Sequence, residues 1–243
     1  MAKFYVVLAA AVLPAFVLLY YIYRRDKYQR EPVSQLLKGF FYGILAAAVA
    51  GPIELLIEQL GLVESNSQSF GGCIWDAFFG VALVEEGVKL FFLWLLLRKN
   101  KYYDEMMDGV VYAVAVGMGF AAAENVGYLF GNIDTWQQVA VGRAIFSVPG
   151  HFMFAVAMGY YYSIVHFTFS TKMEREFVLF VPLVLHGIFD SLLFIANVSA
   201  SMSGVIWLIF VVFCLTLPSM ANKKIKRLLK EDRLWRNSIN FNF

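Results

Sequence analysis

The stretch FGGCIWDAFFGVALVEEGVKLFFLWLLL, Phe70 to Leu97, is long and apolar enough to cross a bilayer, yet it carries Glu85, Glu86 and Lys89. A spanning helix needs about 20 apolar residues. A charge at mid-membrane costs roughly 2.5–3.5 kcal/mol on insertion scales. Two adjacent carboxylates and an ammonium at that depth imply a face turned to protein or trapped water, and a functional site. The rest of the chain reads as the housing of that site.

Composition agrees with a membrane setting. Of 243 residues, 60% are hydrophobic and 16% charged, whereas soluble domains carry about a quarter charged residues. Seven apolar segments stand out, at 4–23, 39–60, 71–97, 108–130, 138–166, 177–197 and 204–221. They predict an all-α, polytopic transmembrane bundle of about seven helices, a multi-pass protein of the cell membrane in contact with its lipids. Short connections leave no room for a separate binding module.

Basic residues follow the first, third, fifth and seventh segments. Arg24, Arg25, Lys27 and Arg30 follow the first, and Lys223, Lys224, Lys226 and Arg227 follow the last. The connections 61–70, 131–137 and 198–203 contain no Lys or Arg. The positive-inside rule then places the N-terminus outside and the C-terminus in the cytoplasm. Residues 1–222 form the predicted transmembrane domain, and 223–243 a basic cytoplasmic tail lying on anionic headgroups. So short a tail points away from nucleic-acid binding. Cys73 and Cys214, without any CxxC, read as buried, inert thiols.

Four segments bring ionisable groups to a similar depth. Lys89 lies four residues after Glu85 and three after Glu86, so it reaches both on one helical face. One lysine neutralises one carboxylate, and the other needs a second cation, a metal or a proton. A carboxylate so placed suits general acid–base work. Glu124 and Asn125 close the sequence FAAAEN. Around them Gly117, Gly119, Gly127 and Gly131 read as packing residues. His151 follows Pro149 and Gly150, which loosen the helix. His186 and Asp190 are four apart and share a face, so the aspartate can orient the ring or both can bind one ion. Arg143 is expected near the outer end, pairing with a carboxylate or a headgroup. Glu54 and Glu58, near the outer end of the second segment, either line substrate entry or face headgroups, the latter favoured, and Asp76 and Asp108 are expected to lie at the interface.

Neutral histidines with carboxylates suit Zn²⁺, which in catalytic sites takes three protein ligands and a water. Neither HExxH nor HxxEH occurs. The same groups could also relay protons in a transporter or channel, or simply lock helices together.

In order, EExxK (Glu85, Glu86, Lys89), FxxxEN (Phe120, Glu124, Asn125), His151 and HxxxD (His186, Asp190) resemble the PrsW family of membrane-embedded proteases. The set is similar to the wider superfamily of CAAX prenyl-proteases and bacteriocin-immunity relatives, with EExxxR, FxxxH and HxxxN. This chain has Lys89, Glu124 and Asp190 where that wider pattern has Arg, His and Asn. The likeness covers roughly residues 80–192. It implies a hydrolase cutting a single-pass membrane protein near its extracytoplasmic side, as site-1 cleavage of an anti-sigma factor in envelope stress. It also implies that Glu85 is the general base, with Glu86 beside it and Lys89 holding the pair. Glu124, His151, His186 and Asp190 would bind water or a metal, zinc if any.

Overall fold

Gly43 and Gly119 set a close helix crossing in the bundle. A Cβ on either would collide with backbone of the facing helix: Val116 and Phe120 for Gly43, and Phe40 for Gly119. Only bare backbone allows such an approach between membrane helices. The helices concerned are α2 (Val33–Gln59) and α5 (Met106–Gly131). In contrast, Gly127 and Gly131, further along α5, face open space and pack nothing.

The computed structural model describes residues 1–64, 67–199 and 201–240. Residues 241–243 of the basic tail, and 65, 66 and 200 of two connections, lie outside the described residues. The remaining helices are α1 (Ala2–Arg25), α3 (Phe70–Trp75), α4 (Leu83–Leu97), α6 (Trp136–Gly142), α7 (Val148–Phe167), α8 (Lys172–Val198) and α9 (Ser203–Asn240). A wide π-helical stretch, Asp76–Ala82, joins α3 to α4, and another, Arg143–Ser147, joins α6 to α7. Continuous rods therefore number seven among the described residues, as the apolar segments predict. Among the described residues, six of these rods are long and apolar enough to cross a membrane. The seventh rod, α3–α4, contains Glu85, Glu86 and Lys89 and is broken in regularity by its π stretch. The chain is a multi-pass membrane protein.

Central α5 is buried along most of its length. Its first half packs Met107, Val110, Val111, Val114 and Met118 into the main core with residues of α1, α2, α7 and α9. Small residues and β-branched residues dominate this surface, so neighbours close around it from several sides. One cause of the second π stretch is legible: Pro149 has no N–H to continue the α-helical ladder, and the wide turn ends just before it. Phe78, in the first π stretch, lies against the bare backbone of Gly187 on α8. That contact fixes α8 at the residue next to His186.

Two helix limits differ from those expected. Pro32 caps α2, and the helix begins at Val33 rather than at 39, with Leu36 already buried. A polar first turn escapes an apolar-run reading. α9 does not stop at 221 but continues to Asn240. Ala221, Ile225, Leu228 and Asp232 form a buried stripe through the basic residues, at the three- and four-residue spacing of an amphipathic helix. That stripe meets protein: the Asp232 carboxylate accepts the Met106 and Met107 N–H groups at 2.8 and 2.9 Å, capping α5.

Acids gather at this joint. Asp26, Glu31, Glu105, Asp108 and Asp232 are all buried. Tyr112 O–H donates to Glu31, and Arg236 pairs with Glu105. Asp108 lies at a helix end as expected, yet is fully buried and accepts the Asp104 and Glu105 N–H groups. Burial, reinforced by Glu105, Glu31 and Asp232, pushes the Asp26 carboxyl up from 3.8 to about 7. Burial also raises Glu31 and Glu105. Between about pH 4 and 7 the folded joint holds protons that the opened chain lacks, so its stability falls as pH rises through that window. Hydrogen exchange over the last turns of α9, corrected for intrinsic rate, is expected to be slower at pH 5 than at pH 7.5. Equal protection would show that these acids do not govern the joint.

Candidate active site

Glu85, Glu86 and Lys89 sit in the first two turns of α4, directly after the first π stretch. All three are buried, with residue exposures of 5%, 1% and 4%. Lys89 Nζ lies 2.9 Å from Glu85 Oε2, 2.8 Å from Glu86 Oε1 and 3.2 Å from His151 Nδ1. An ammonium has three donors and no acceptor. All three are engaged here, and His151 Nδ1 is the acceptor of the third. The face of Phe120 covers the ammonium at 3.9 Å, a favourable contact away from water.

His151 reaches the site from α7, one turn after the second π stretch. With Nδ1 accepting, its Nε2–H donates to Glu124 Oε2 at 2.7 Å. Glu124, on α5, also faces Arg143 Nη2 at 2.8 Å. Arg143 stacks over Tyr128 at 4.1 Å and donates to Asn125 Oδ1. Asn125 in turn donates to the Ala11 carbonyl at 3.0 Å, tying this end of α5 to α1. Arg143 therefore belongs to the carboxylate network; its partner is a protein carboxylate and not a headgroup.

His186, from α8, lies between carboxylates. Its Nδ1 is 2.9 Å from Glu86 Oε1 and its Nε2 is 3.1 Å from Asp190 Oδ2. Satisfying both contacts takes one proton more than a neutral ring and two ionised carboxylates contain. Phe154 stacks on the ring at 4.9 Å.

The sequence-predicted residues thus come together in two layers. Glu85, Glu86, Lys89, His151 and His186 make direct contact in the middle. Glu124 and Asp190 stand behind the two rings and orient them, as carboxylates do behind metal-binding or catalytic histidines. The two glutamates of α4 differ in outlook. Glu85 lines a cavity of about 660 Å³, together with Glu124, His151, His186 and Asp190. Glu86 points inward, with Oε2 buried and unpartnered by protein.

Glu54 takes the less favoured of its two expected places. It does not face headgroups but lines this same cavity from α2. The available signal was the run of small residues before it, Ala46–Ala48 and Ala50–Gly51, which leaves one side of α2 thin. Glu58 is exposed. Asp76 is buried and accepts the Glu64 N–H at 3.0 Å, holding the connection after α2. Cys73 is buried as expected, but Cys214 is half-buried on α9, and both are free thiols.

Glu85, Glu86, His151 and His186 each offer a ligand atom, all within 4.8 Å of one another. Two carboxylates and two imidazoles suit a divalent metal. Lys89 uses atoms of three of these residues, so a metal ion and the ammonium would compete for them. The donor set fits a metal provided that Lys89 gives up its place.

A cavity of about 660 Å³, bordered by carboxylates, imidazoles and a guanidinium on five rods, defines a membrane-embedded hydrolase site. The chain belongs to the PrsW family of intramembrane metalloproteases, whose family model matches residues 31–217. It is 35% identical over 189 residues to the Protease PrsW of Clostridioides difficile (strain 630), covering 76% of this chain and 78% of that one. It is 34% identical over 190 residues to the Protease PrsW of Geobacillus kaustophilus (strain HTA426), covering 76% and 79%. With the Protease PrsW of Bacillus subtilis (strain 168), identity is 31% over 191 residues, covering 78% and 83%. No solved structure matches the chain.

Proposed function

We propose that this intramembrane protease performs site-1 cleavage of a single-pass anti-sigma factor near its extracytoplasmic side, with its own N-terminus outside and its basic tail in the cytoplasm. One observation carries the reading of the site. Glu85 alone of the α4 pair borders the cavity, while its partner Glu86 is held behind it by Lys89 and His186. Glu85 is the general base, taking a proton from a water in the cavity. The water oxygen forms a bond to the scissile carbonyl carbon. When the C–N bond breaks, His186, backed by Asp190, delivers a proton to the leaving amine, and the proton held by Glu85, 4.0 Å away, restores the ring.

Lys89 keeps the two carboxylates together and holds His151 Nδ1. Glu124 and Arg143 fix His151 from the other side. With Lys89 displaced from His151 and Glu86, these two and His186 would hold a zinc ion, whose bound water ionises near neutral pH. Glu85 would then remain the proton acceptor on the cavity side. Burial of the whole set strengthens these electrostatic contacts by excluding bulk water.

The test is co-expression with a tagged single-pass anti-sigma factor, with fragments resolved by immunoblot. Release of the extracytoplasmic fragment is expected with the unaltered enzyme and not with His186→Ala at equal membrane level. Undiminished cleavage by His186→Ala would remove His186 from the mechanism. An anti-sigma factor left intact by the active enzyme would remove that substrate class.

A further inference from the structure

Glu54 is a cavity carboxylate that the proposed mechanism does not use. Glu85 pairs with Lys89, Glu124 with Arg143 and His151, and Asp190 with His186. Glu54 has no such pair among the described residues, and its Oε1 is buried without a hydrogen-bond partner from the protein. A buried acceptor left unpaired destabilises its surroundings, and more so when charged. That cost is recovered when an incoming donor completes the site.

The wall around it is built to receive one. Ala47, Ala48 and Gly51 line the cavity on α2 and leave room beside the helix backbone. Pro52 lacks the N–H that would bond the Ala48 carbonyl, so this wall is rich in acceptors and poor in donors. Charge points the same way. Glu54, Glu85, Glu124 and Asp190 border the cavity against the single guanidinium of Arg143. Glu54 lies outside the group able to ligate a metal, so an ion bound there would leave it unpaired.

We propose that Glu54 is a specificity-determining residue: it binds a basic side chain of the substrate close to the scissile bond and so selects membrane segments carrying Lys or Arg at that place. The inference rests on the protease reading of the cavity. A site built to pair with a donor rejects an analogue that lacks it, because the buried acceptor stays unpaired. An acidic side chain in the same position meets like charge and is rejected more strongly.

The experiment uses the full chain in lipid nanodiscs and a single-pass substrate whose residues flanking the mapped cleavage bond are changed in turn to Lys, Ala or Asp. At the best position, kcat/KM for Lys over Asp is expected to be at least tenfold. Glu54→Gln is expected to bring that ratio close to one, and Glu54→Lys to invert it. A ratio near one in the unaltered enzyme, or an unchanged ratio in Glu54→Gln, overturns the proposal. Substrate affinity is measured in parallel in a Glu85→Gln background, with and without Glu54→Gln, so that preference is read without turnover. Equal affinity for Lys and Asp substrates in Glu85→Gln also overturns it. Cleavage that persists in Glu85→Gln overturns the protease mechanism instead, and the affinity ratio still decides the role of Glu54.

Discussion

Replacing Glu85 by Gln is expected to lower kcat for substrate cleavage by about 10²–10⁴-fold, the usual contribution of a positioned general base, while leaving the folded protein intact. The amide keeps the size of the carboxylate and removes its capacity to take a proton. Lys89 retains Glu86 at 2.8 Å and His151 at 3.2 Å, so its ammonium is still compensated. Single-turnover cleavage in detergent or nanodiscs, alongside a thermal unfolding curve, separates the two effects. Activity within a few-fold of the unaltered enzyme would exclude Glu85 as the base. The comparison with Glu86→Gln is informative. Glu86 holds both Lys89 and His186 through one oxygen, so its replacement is expected to lower stability as well as rate.

The second large effect concerns Lys89. Its ammonium is the shared counter-charge of two buried carboxylates. Lys89→Met keeps the length and apolar stem but leaves both acids without it. Breaking a buried pair by removing one partner costs about 3–5 kcal/mol, and this change breaks two ion pairs at once. Loss of most of the folded protein from membranes is expected, with a large drop in unfolding temperature for what remains. Adding Glu86→Gln to Lys89→Met removes one uncompensated charge and is expected to recover part of the loss. A Lys89→Met protein as stable as the original would mean that the carboxylates share protons rather than depend on the ammonium.

Much of this site was legible in one dimension because its central part is local. Glu85, Glu86 and Lys89 meet through the three- and four-residue geometry of a single helix, as do His186 and Asp190. The spans were legible because lipid demands long apolar runs. Contacts between rods were not. That His151 turns one nitrogen to Lys89 and the other to Glu124 depends on how α4, α5 and α7 rotate about their axes, and no spacing within one segment encodes that. Glu54 was left between two places for a related reason. Near the end of an apolar segment, a carboxylate facing headgroups and one facing a cavity look alike until the neighbouring helix is in place. The extension of α9 was hidden by its charge, although Ala221, Ile225 and Leu228 already kept a helical interval.

The two π stretches carry a consequence for how this enzyme can change over generations. Each resets helical phase just ahead of buried groups of the site: Asp76–Ala82 before Glu85, and Arg143–Ser147 before His151. An α-helix turns about 100° per residue at 3.6 residues per turn, so losing a single codon from either stretch would swing those groups off target. The same arrangement uncouples the two halves of each rod. Substitutions in Phe70–Trp75 or Trp136–Gly142 alter what the upstream half presents to its surroundings, while the wide turn absorbs small adjustments before they reach the downstream half. Upstream surface and chemistry can therefore diversify on separate evolutionary clocks.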